Sequence, residues 1–364
     1  MSLSTVAEVR FPSPDVQEDI NFFTQHLGFR LDQIYPADQP AVAVLSGHGV
    51  RLRLETGAKE PLGTVRLLVD RLPDIANGAS CIFAPNGLRV EFAPLSNPLT
   101  IPETEHTFVV RHLRDQAPWV IGRAGMQYRD LIPSRLGGGI IASHIRIPKG
   151  GPVPDMVHYH TVGFQLIYCY RGWVDLVYED QGPPFRLEAG DCLIQPPEIR
   201  HRVLYASDNI EVVEIAVPSE HLTTIDHEMT LPNDRYRPDR EFQGQTFVRH
   251  QAGEANWSPF RIPGFSHCDT GITQGTKGVA SVHMARYEGG FPPATQHDSD
   301  ILFNFVLEGS MTLAATGEQE VEVSPGDAFV IPPDLVHQYT RCSPDLELLE
   351  VSLPGRFNTQ AIDH

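Results

Sequence analysis

The chain has 364 residues, enough for two or three domains, and an ordinary globular balance of 41 % hydrophobic and 20 % charged residues. Its 28 basic and 46 acidic residues give a net charge of −18, spread along the chain, which argues against nucleic acid or an anionic membrane surface as a partner. No apolar run is long enough to span a membrane, and the N-terminus lacks the basic-then-apolar pattern of a secretory signal.

The cysteines (Cys81, Cys169, Cys192, Cys268 and Cys342) are odd in number, far apart and form no C-x-x-C pair. That usage is expected of reduced thiols in a cytoplasm. The 31 prolines and 30 glycines punctuate the chain between short runs of Val, Ile, Leu and aromatics. The expected fold class is therefore mainly β, a sandwich or barrel.

In chain order, a strand over residues 6–11 is followed by a helix from Val16 to Leu27. Asp15 stands at its N-cap, Ile20, Phe23 and Leu27 form its apolar stripe, and Gly28 ends it. Three short strands follow, over 31–35, 41–45 and 50–55. This β-α-β-β-β order, with the run FFTQHLGFRL, resembles one module of the glyoxalase, or vicinal-oxygen-chelate, family. The resemblance implies two facing modules with metal ligands on their first and last strands, which places Glu8, Glu55 and Glu91 near ligand positions. The second module, 63–94, is too short for a full helix and its strands. The expectation for residues 1–95 is a truncated α+β domain with a structural role.

Beyond residue 95 the sequence repeats. Thr107-Phe108-Val109-Val110-Arg111-His112 and Trp119 match Thr246-Phe247-Val248-Arg249-His250 and Trp257. Gly125, Asp130, Gly139 and His144 match Gly264, Asp269, Gly278 and His283, and Gly150-Gly151 matches Gly289-Gly290. Further on, Gly172, Gly190-Asp191 and His201 match Gly309, Gly326-Asp327 and His337. The common order and slowly drifting offset indicate two duplicated domains, over 96–220 and 221–364, with a polar linker near 219–245.

The first copy reads His158, one residue, His160, four residues, Gln165, six residues, Gly172, and then Gly190-Asp191, Pro196-Pro197 and His201. His158 and His160 share a strand face because the side-chain period is two. Three imidazoles and one oxygen donor suit a divalent transition metal. These residues resemble the two signature motifs of the cupins, G-x5-H-x-H-x3,4-E-x6-G and G-x5-P-x-G-x2-H-x3-N. The resemblance implies tandem jelly-roll barrels and a metal on His158, His160, Gln165 and His201. The sequence departs from the motifs at Gln165, where Glu is usual, at Glu198, where Gly is usual, and at Tyr205, where Asn is usual. A neutral Gln removes the carboxylate that some cupins use as a base. The second copy keeps His337 and a single upstream histidine, His297, which aligns with either His158 or His160. Leu302 falls at the Gln165 position, and Asp298 or Asp300 offers oxygen. That copy is expected to be a degenerate or weak site.

His144 shares a strand face with Ala142 and Arg146, opposite Ile141, Ser143, Ile145 and Ile147. If that polar face lines the cavity, His144 and Arg146 are candidate catalytic residues; if it faces solvent or the dimer interface, they are not. Tyr159, Tyr168, Tyr170 and Trp173 are candidate pocket walls. Arg146, Arg171, Arg200 and Arg202 are candidate partners for a substrate carboxylate. The expected cofactor is one divalent metal per chain, Fe2+ first, with Zn2+, Mn2+, Ni2+ or Co2+ as alternatives. The resemblance implies a metal enzyme on a small-molecule substrate, first a non-haem iron dioxygenase acting on a small oxygenated or aromatic compound. A redox-neutral isomerase or lyase on a keto acid or sugar is the alternative, and a non-enzymatic binding protein a third. Cupins often pair through barrel-edge strands, so a homodimer is expected.

Overall fold

The computed structural model describes residues 8–35, 40–59, 62–95, 99–115, 119–121 and 126–362. Gly125 of the repeat lies outside them. The chain divides into two compact units, Met1–Pro98 and Leu99–His364.

In the first unit Asp15 caps the helix Val16–His26 by accepting from the Glu18 backbone N–H at 3.0 Å. The helix buries Val16, Ile20 and Phe23 against a four-stranded sheet. In that sheet Val9–Pro12 runs parallel to Val50–Glu55, followed outward by Val42–Gly47 and Arg30–Tyr35. A separate three-stranded sheet holds Thr64–Val69, Arg89–Pro94 and Cys81–Phe83. Between Thr64–Val69 and Cys81–Phe83 the chain makes a single 3-10 turn, Asp74–Ala76. The three acidic candidates here are committed to arginines. Glu8 accepts from Arg51 at 3.0 Å, Glu55 from Arg53 at 2.8 Å, and Glu91 pairs with Arg89.

The second unit is two β-barrels built to one plan. Each has a seven-stranded sheet packed on a smaller one. In the first barrel the large sheet runs Val248–His250, Cys192–Ile194, Phe164–Arg171, Ile210–Val217, Ile141–Ile147, Gln127–Asp130, Val120–Ile121. The smaller sheet runs Phe185–Glu188, Trp173–Tyr178, His201–Ala206, His158–Thr161, Leu222–Ile225. In the second barrel the corresponding strands are Ala328–Val330, Ile301–Glu308, Glu347–Leu353 and Ser281–Tyr287, facing Met311–Ala315, His337–Thr340 and Thr295–His297.

The central strands are buried on both faces, which explains their near-continuous apolar runs. On Phe164–Arg171 one face looks into the barrel, while Leu166 and Tyr168 look outward. There they pack with Phe303, Phe305, Leu349 and Val351 of the second barrel in one buried cluster. Each such side chain contributes about 2 kcal/mol by leaving water.

The barrels also exchange strands. Val109–Arg111, which opens the first repeat, pairs with Ala328–Val330 of the second barrel. Val248–His250, which opens the second repeat, pairs with Cys192–Ile194 of the first. The repeated Gly-Asp turns anchor the exchange. Asp327 accepts from the Leu113 backbone N–H at 2.6 Å, and Asp191 accepts from that of Ala252 at 2.8 Å. The segment read as a linker is also built in, because Leu222–Ile225 pairs along His158–Thr161. Sheet membership therefore crosses the boundary at 220/221 that the repeat offset suggests.

Candidate metal centre

His158 and His160 alternate with half-exposed residues on His158–Thr161 and point into the first barrel. His158 lies directly across the ladder from His201. The ligand atoms of His158, His160 and His201 lie within 4.8 Å of one another, and all three residues are buried. This is the one such group of three or more among the described residues. Each ring is held by its Nδ1. His158 donates to the Met156 carbonyl at 2.8 Å and His201 to that of Ile199 at 3.0 Å. His160 pairs with the Thr223 hydroxyl at 2.9 Å. A carbonyl can only accept, so Nδ1 carries the proton in His158 and His201, and the lone pair sits on Nε2, the arrangement of metal-binding histidines. Buried Asp155 lies 3.6 Å from the His158 Nδ1.

Gln165 is buried on Phe164–Arg171. Its Nε2 donates to Glu214 Oε1 at 2.6 Å, and its Oε1 has no hydrogen-bond partner among the described residues. A buried carbonyl oxygen left without a donor is costly in a protein interior and suits a cation's approach. The residues present thus fit a divalent metal with three nitrogen donors and one neutral oxygen donor.

A cavity of about 80 Å³ opens beside His160 and His201. Its walls are largely apolar, with Met126, Ile145, Ile167, Val203 and Val212, and its one carboxylate is Glu214. Tyr178 stacks on His201 at 5.4 Å, and its hydroxyl accepts from Gln195 at 2.8 Å. Burial pushes the Tyr178 phenol well above its ordinary value, so it stays neutral.

Several expectations are corrected. His144 and Arg146 do not line this cavity; Ile145 and Ile147, on the opposite strand face, do. His144 sits between the barrels, in edge contact with Phe305, with Nε2 on Glu211 at 2.7 Å and Nδ1 3.1 Å from Arg129. Arg146 stacks over Trp119 and binds Gln127. The repeat match of His144 with His283 is one residue out of register. Ser143 faces Glu214 just as His283 faces Glu350, because the loop before the strand differs in length. Tyr168 and Tyr170 pack between the barrels, Trp173 stacks on Tyr205, and Arg200 lies over Tyr159. The cavity's aromatics are Tyr128 and Tyr178, and none of Arg171, Arg200 and Arg202 lines it.

Glu214, Thr223 and Asp155 escaped the sequence reading. For Glu214 a signal existed, since it interrupts the apolar run of Ile210–Val217 and Glu350 repeats it at the matching position of Glu347–Leu353.

In the second barrel Thr295 faces His337 as His158 faces His201, so His297 corresponds to His160. Leu302 faces Ser352 as Gln165 faces Ala216, confirming Leu302 at the Gln165 position. Asp300 is taken by Thr104 and His106, and Asp298 by Asn358. His297 and His337 are buried with ring centroids 5.9 Å apart, but no third histidine or carboxylate ligand joins them among the described residues.

Comparison with known proteins fits this architecture. Residues 143–218 and 282–352 match the family model of the cupin domain. One matched segment lies in each barrel. The chain is similar to salicylate 1,2-dioxygenase from Pseudaminobacter salicylatoxidans, at 15 % identity and TM-score 0.54, over 72 % of this chain and 90 % of that one. It is also similar to oxalate decarboxylase from Lactobacillus farciminis, solved as a formate complex, at 12 % identity and TM-score 0.53, over 74 % of this chain and 91 % of that one. No curated protein sequence matches the chain. At these identities the likeness speaks for the two-barrel cupin fold. All five cysteines are free, and no helix among the described residues is long and apolar enough to cross a membrane.

Proposed function

We propose that the first cupin barrel holds one divalent transition metal, ferrous iron in the first instance, on His158, His160, His201 and the Gln165 Oε1. We propose further that the chain is a non-haem dioxygenase acting on a small oxygenated or aromatic substrate. The observation that carries this reading is the convergence of three buried imidazoles beside a largely apolar cavity. A ferrous ion, when bound, supplies Lewis acidity and access to dioxygen chemistry. The residues of the chain do the rest. Met126, Ile145, Ile167, Val203 and Val212 exclude water and receive the apolar part of the substrate. Glu214 fixes the Gln165 amide through Nε2, which leaves Oε1 as the donor, and it is the cavity group able to accept a substrate proton. The cavity, about 80 Å³, is roughly half the ~150 Å³ that admits benzene, so small oxygenated substrates fit it as it stands and an aromatic ring fits only if its walls move apart. The similarity to a salicylate dioxygenase supports the reading at the level of fold.

Glu214 also favours a second reading, a redox-neutral isomerase or lyase on a keto acid or sugar. In it a metal held by His158, His160, His201 and Gln165 would supply Lewis acidity, and Glu214 moves a proton. For the N-terminal unit we propose a glyoxalase-like module with a structural role, its acidic side chains being paired with arginines.

The test is metal analysis of the wild type and the His201→Ala variant, followed by oxygen uptake of the iron-loaded protein with catechols, diketones and hydroxybenzoates. The dioxygenase reading expects about one metal per chain in the wild type, its loss in the variant, and oxygen consumed in step with substrate. Proton exchange on a keto acid without oxygen uptake turns the assignment to the second reading. Neither activity from a fully loaded protein sinks both.

A further inference from the structure

The second barrel has lost two of the first barrel's metal donors and gained hydrogen-bonding groups in its interior. Thr295 replaces His158 and Leu302 replaces Gln165. By strand register Asn304 replaces Ile167, since both face the strand's glutamate, Glu350 or Glu214. Tyr339 replaces Val203, since Leu313 faces Tyr339 as Leu176 faces Val203. In the first barrel Ile167, Val203, His160, His201 and Glu214 all line one cavity. Their counterparts Asn304, Tyr339, His297, His337 and Glu350 therefore face one interior.

Four polar atoms in that interior are buried without a hydrogen-bond partner of normal geometry among the described residues: both amide atoms of Asn304, the Tyr339 hydroxyl and the His297 Nε2, whose ring also approaches the Ile331 backbone. Asn304 is 0 % exposed, and Tyr339 and His297 are each 3 % exposed. Buried polar groups are normally satisfied, and four orphans in one barrel point to a molecule that satisfies them. That molecule is not a metal ion. The Ser299 backbone N–H donates to His297 Nδ1 at 3.1 Å, so the proton of the neutral ring sits on Nε2, which offers a donor and no lone pair. His337 Nδ1 donates to the Leu335 carbonyl, and its Nε2 already lies 3.3 Å from the Thr295 hydroxyl.

Nor does the interior offer spare charge. Arg261 is spent on both oxygens of Glu350, at 2.6 Å each, and on Thr359. Burial lowers the His297 pKa to about 4, so that ring is neutral. A buried ion needs a counter-charge that is not on offer here, whereas a neutral molecule does not.

We propose that the second barrel is a metal-independent binding site for a small uncharged molecule bearing a carbonyl or hydroxyl oxygen. Its recognition groups are the His297 Nε2–H, the Asn304 amide and the Tyr339 hydroxyl. The site stands independently of the chemistry assigned to the first barrel.

Acetamide and acetate, near-isosteres that differ in charge, separate the possibilities. Saturation-transfer NMR on the full chain is expected to show acetamide binding, with acetate at least tenfold weaker. Binding should persist in His201→Ala, which removes the first barrel's site. It should weaken at least tenfold in Asn304→Ile, which installs the first barrel's own residue, and in Tyr339→Phe, which keeps the ring. Thermal melts establish that both variants fold. Acetate binding as tightly as acetamide overturns the proposal. So does acetamide binding indifferent to Asn304→Ile and Tyr339→Phe in folded proteins, or a crystal structure of the acetamide-soaked protein with water alone on the orphaned atoms.

Discussion

At the residue scale, the metal centre depends as much on what holds the imidazoles as on the imidazoles themselves. Thr223 sits on a strand that sequence composition reads as linker, yet its hydroxyl fixes His160 at 2.9 Å. Partners of this kind cost about 10- to 100-fold in metal affinity when removed. Thr223→Val is therefore expected to weaken metal binding by about tenfold in a competitive chelator titration, with the fold intact; an unchanged affinity would mean that the Thr223 contact is incidental. Histidine burial also sets an acid limit on stability. Desolvation lowers the pKa of His297 to about 4 from an ordinary 6.5. The unfolded chain takes up that proton at a higher pH than the folded one, so stability is full above about 6.5 and falls as pH drops toward about 4. His297 alone accounts for up to about 3 kcal/mol of that loss. His283 and His337 are shifted in the same direction by burial. Melting temperatures measured between pH 7 and pH 4.5 should fall steadily, and His297→Gln should flatten part of the slope.

At the scale of elements, each repeat is held by turns that tolerate little change. Gly309, the counterpart of Gly172, has φ +67°, and an added Cβ would lie 2.6 Å from the Leu346 backbone N. Gly309→Ala should destabilise by about 2 kcal/mol or more, read as a lower melting temperature. The Gly-Asp turns serve pairing as well as turning. Asp327 accepts from the Ser324 backbone N–H at 2.9 Å and the Leu113 backbone N–H at 2.6 Å, and it contacts His112 Nδ1 at 2.9 Å. Asp327→Ala should cost about 2 kcal/mol by leaving these donors unpaired. It should also release Val109–Arg111 to faster amide exchange while leaving the first barrel's amides protected. Equal exchange in both barrels would show that the turn does not pin the crossing strand.

At the scale of the whole molecule, exchanged strands and a shared core make the two barrels of the second unit one cooperative body. Val248–His250 completes the first barrel's large sheet, and Phe303 and Phe305 pack under Leu166 and Tyr168. A fragment ending at residue 245 loses that strand and exposes the edge of Cys192–Ile194, an open invitation to aggregation. Residues 99–364 should melt in a single transition, whereas 99–245 should not yield a soluble cooperative fold. Two separate calorimetric transitions in the longer piece would contradict this. Metal should raise the melting temperature of the whole chain through binding to the native state, and His201→Ala should abolish that rise.

The amino-acid sequence by itself determined what short-range periodicity and spacing encode. The β class follows from short apolar runs between turn formers, the duplication from ordered matches, and the three histidines from a period-two strand and a resemblance to the cupin motifs. Asp15 announces its helix because a cap is a local interaction. Only the tertiary structure decided which strand face looks inward. His144 and Arg146 share a polar face that reads equally well as a cavity wall or as a face turned to solvent or a dimer partner, and the structure instead packs His144 against Phe305 of the second barrel. Equally hidden were the exchange of strands between barrels and the corrected register that places His283 opposite Glu350. Hydrogen bonds between residues far apart in sequence, such as Gln165 to Glu214, leave no local trace, because their energy depends on distances that exist only once the sheets have closed.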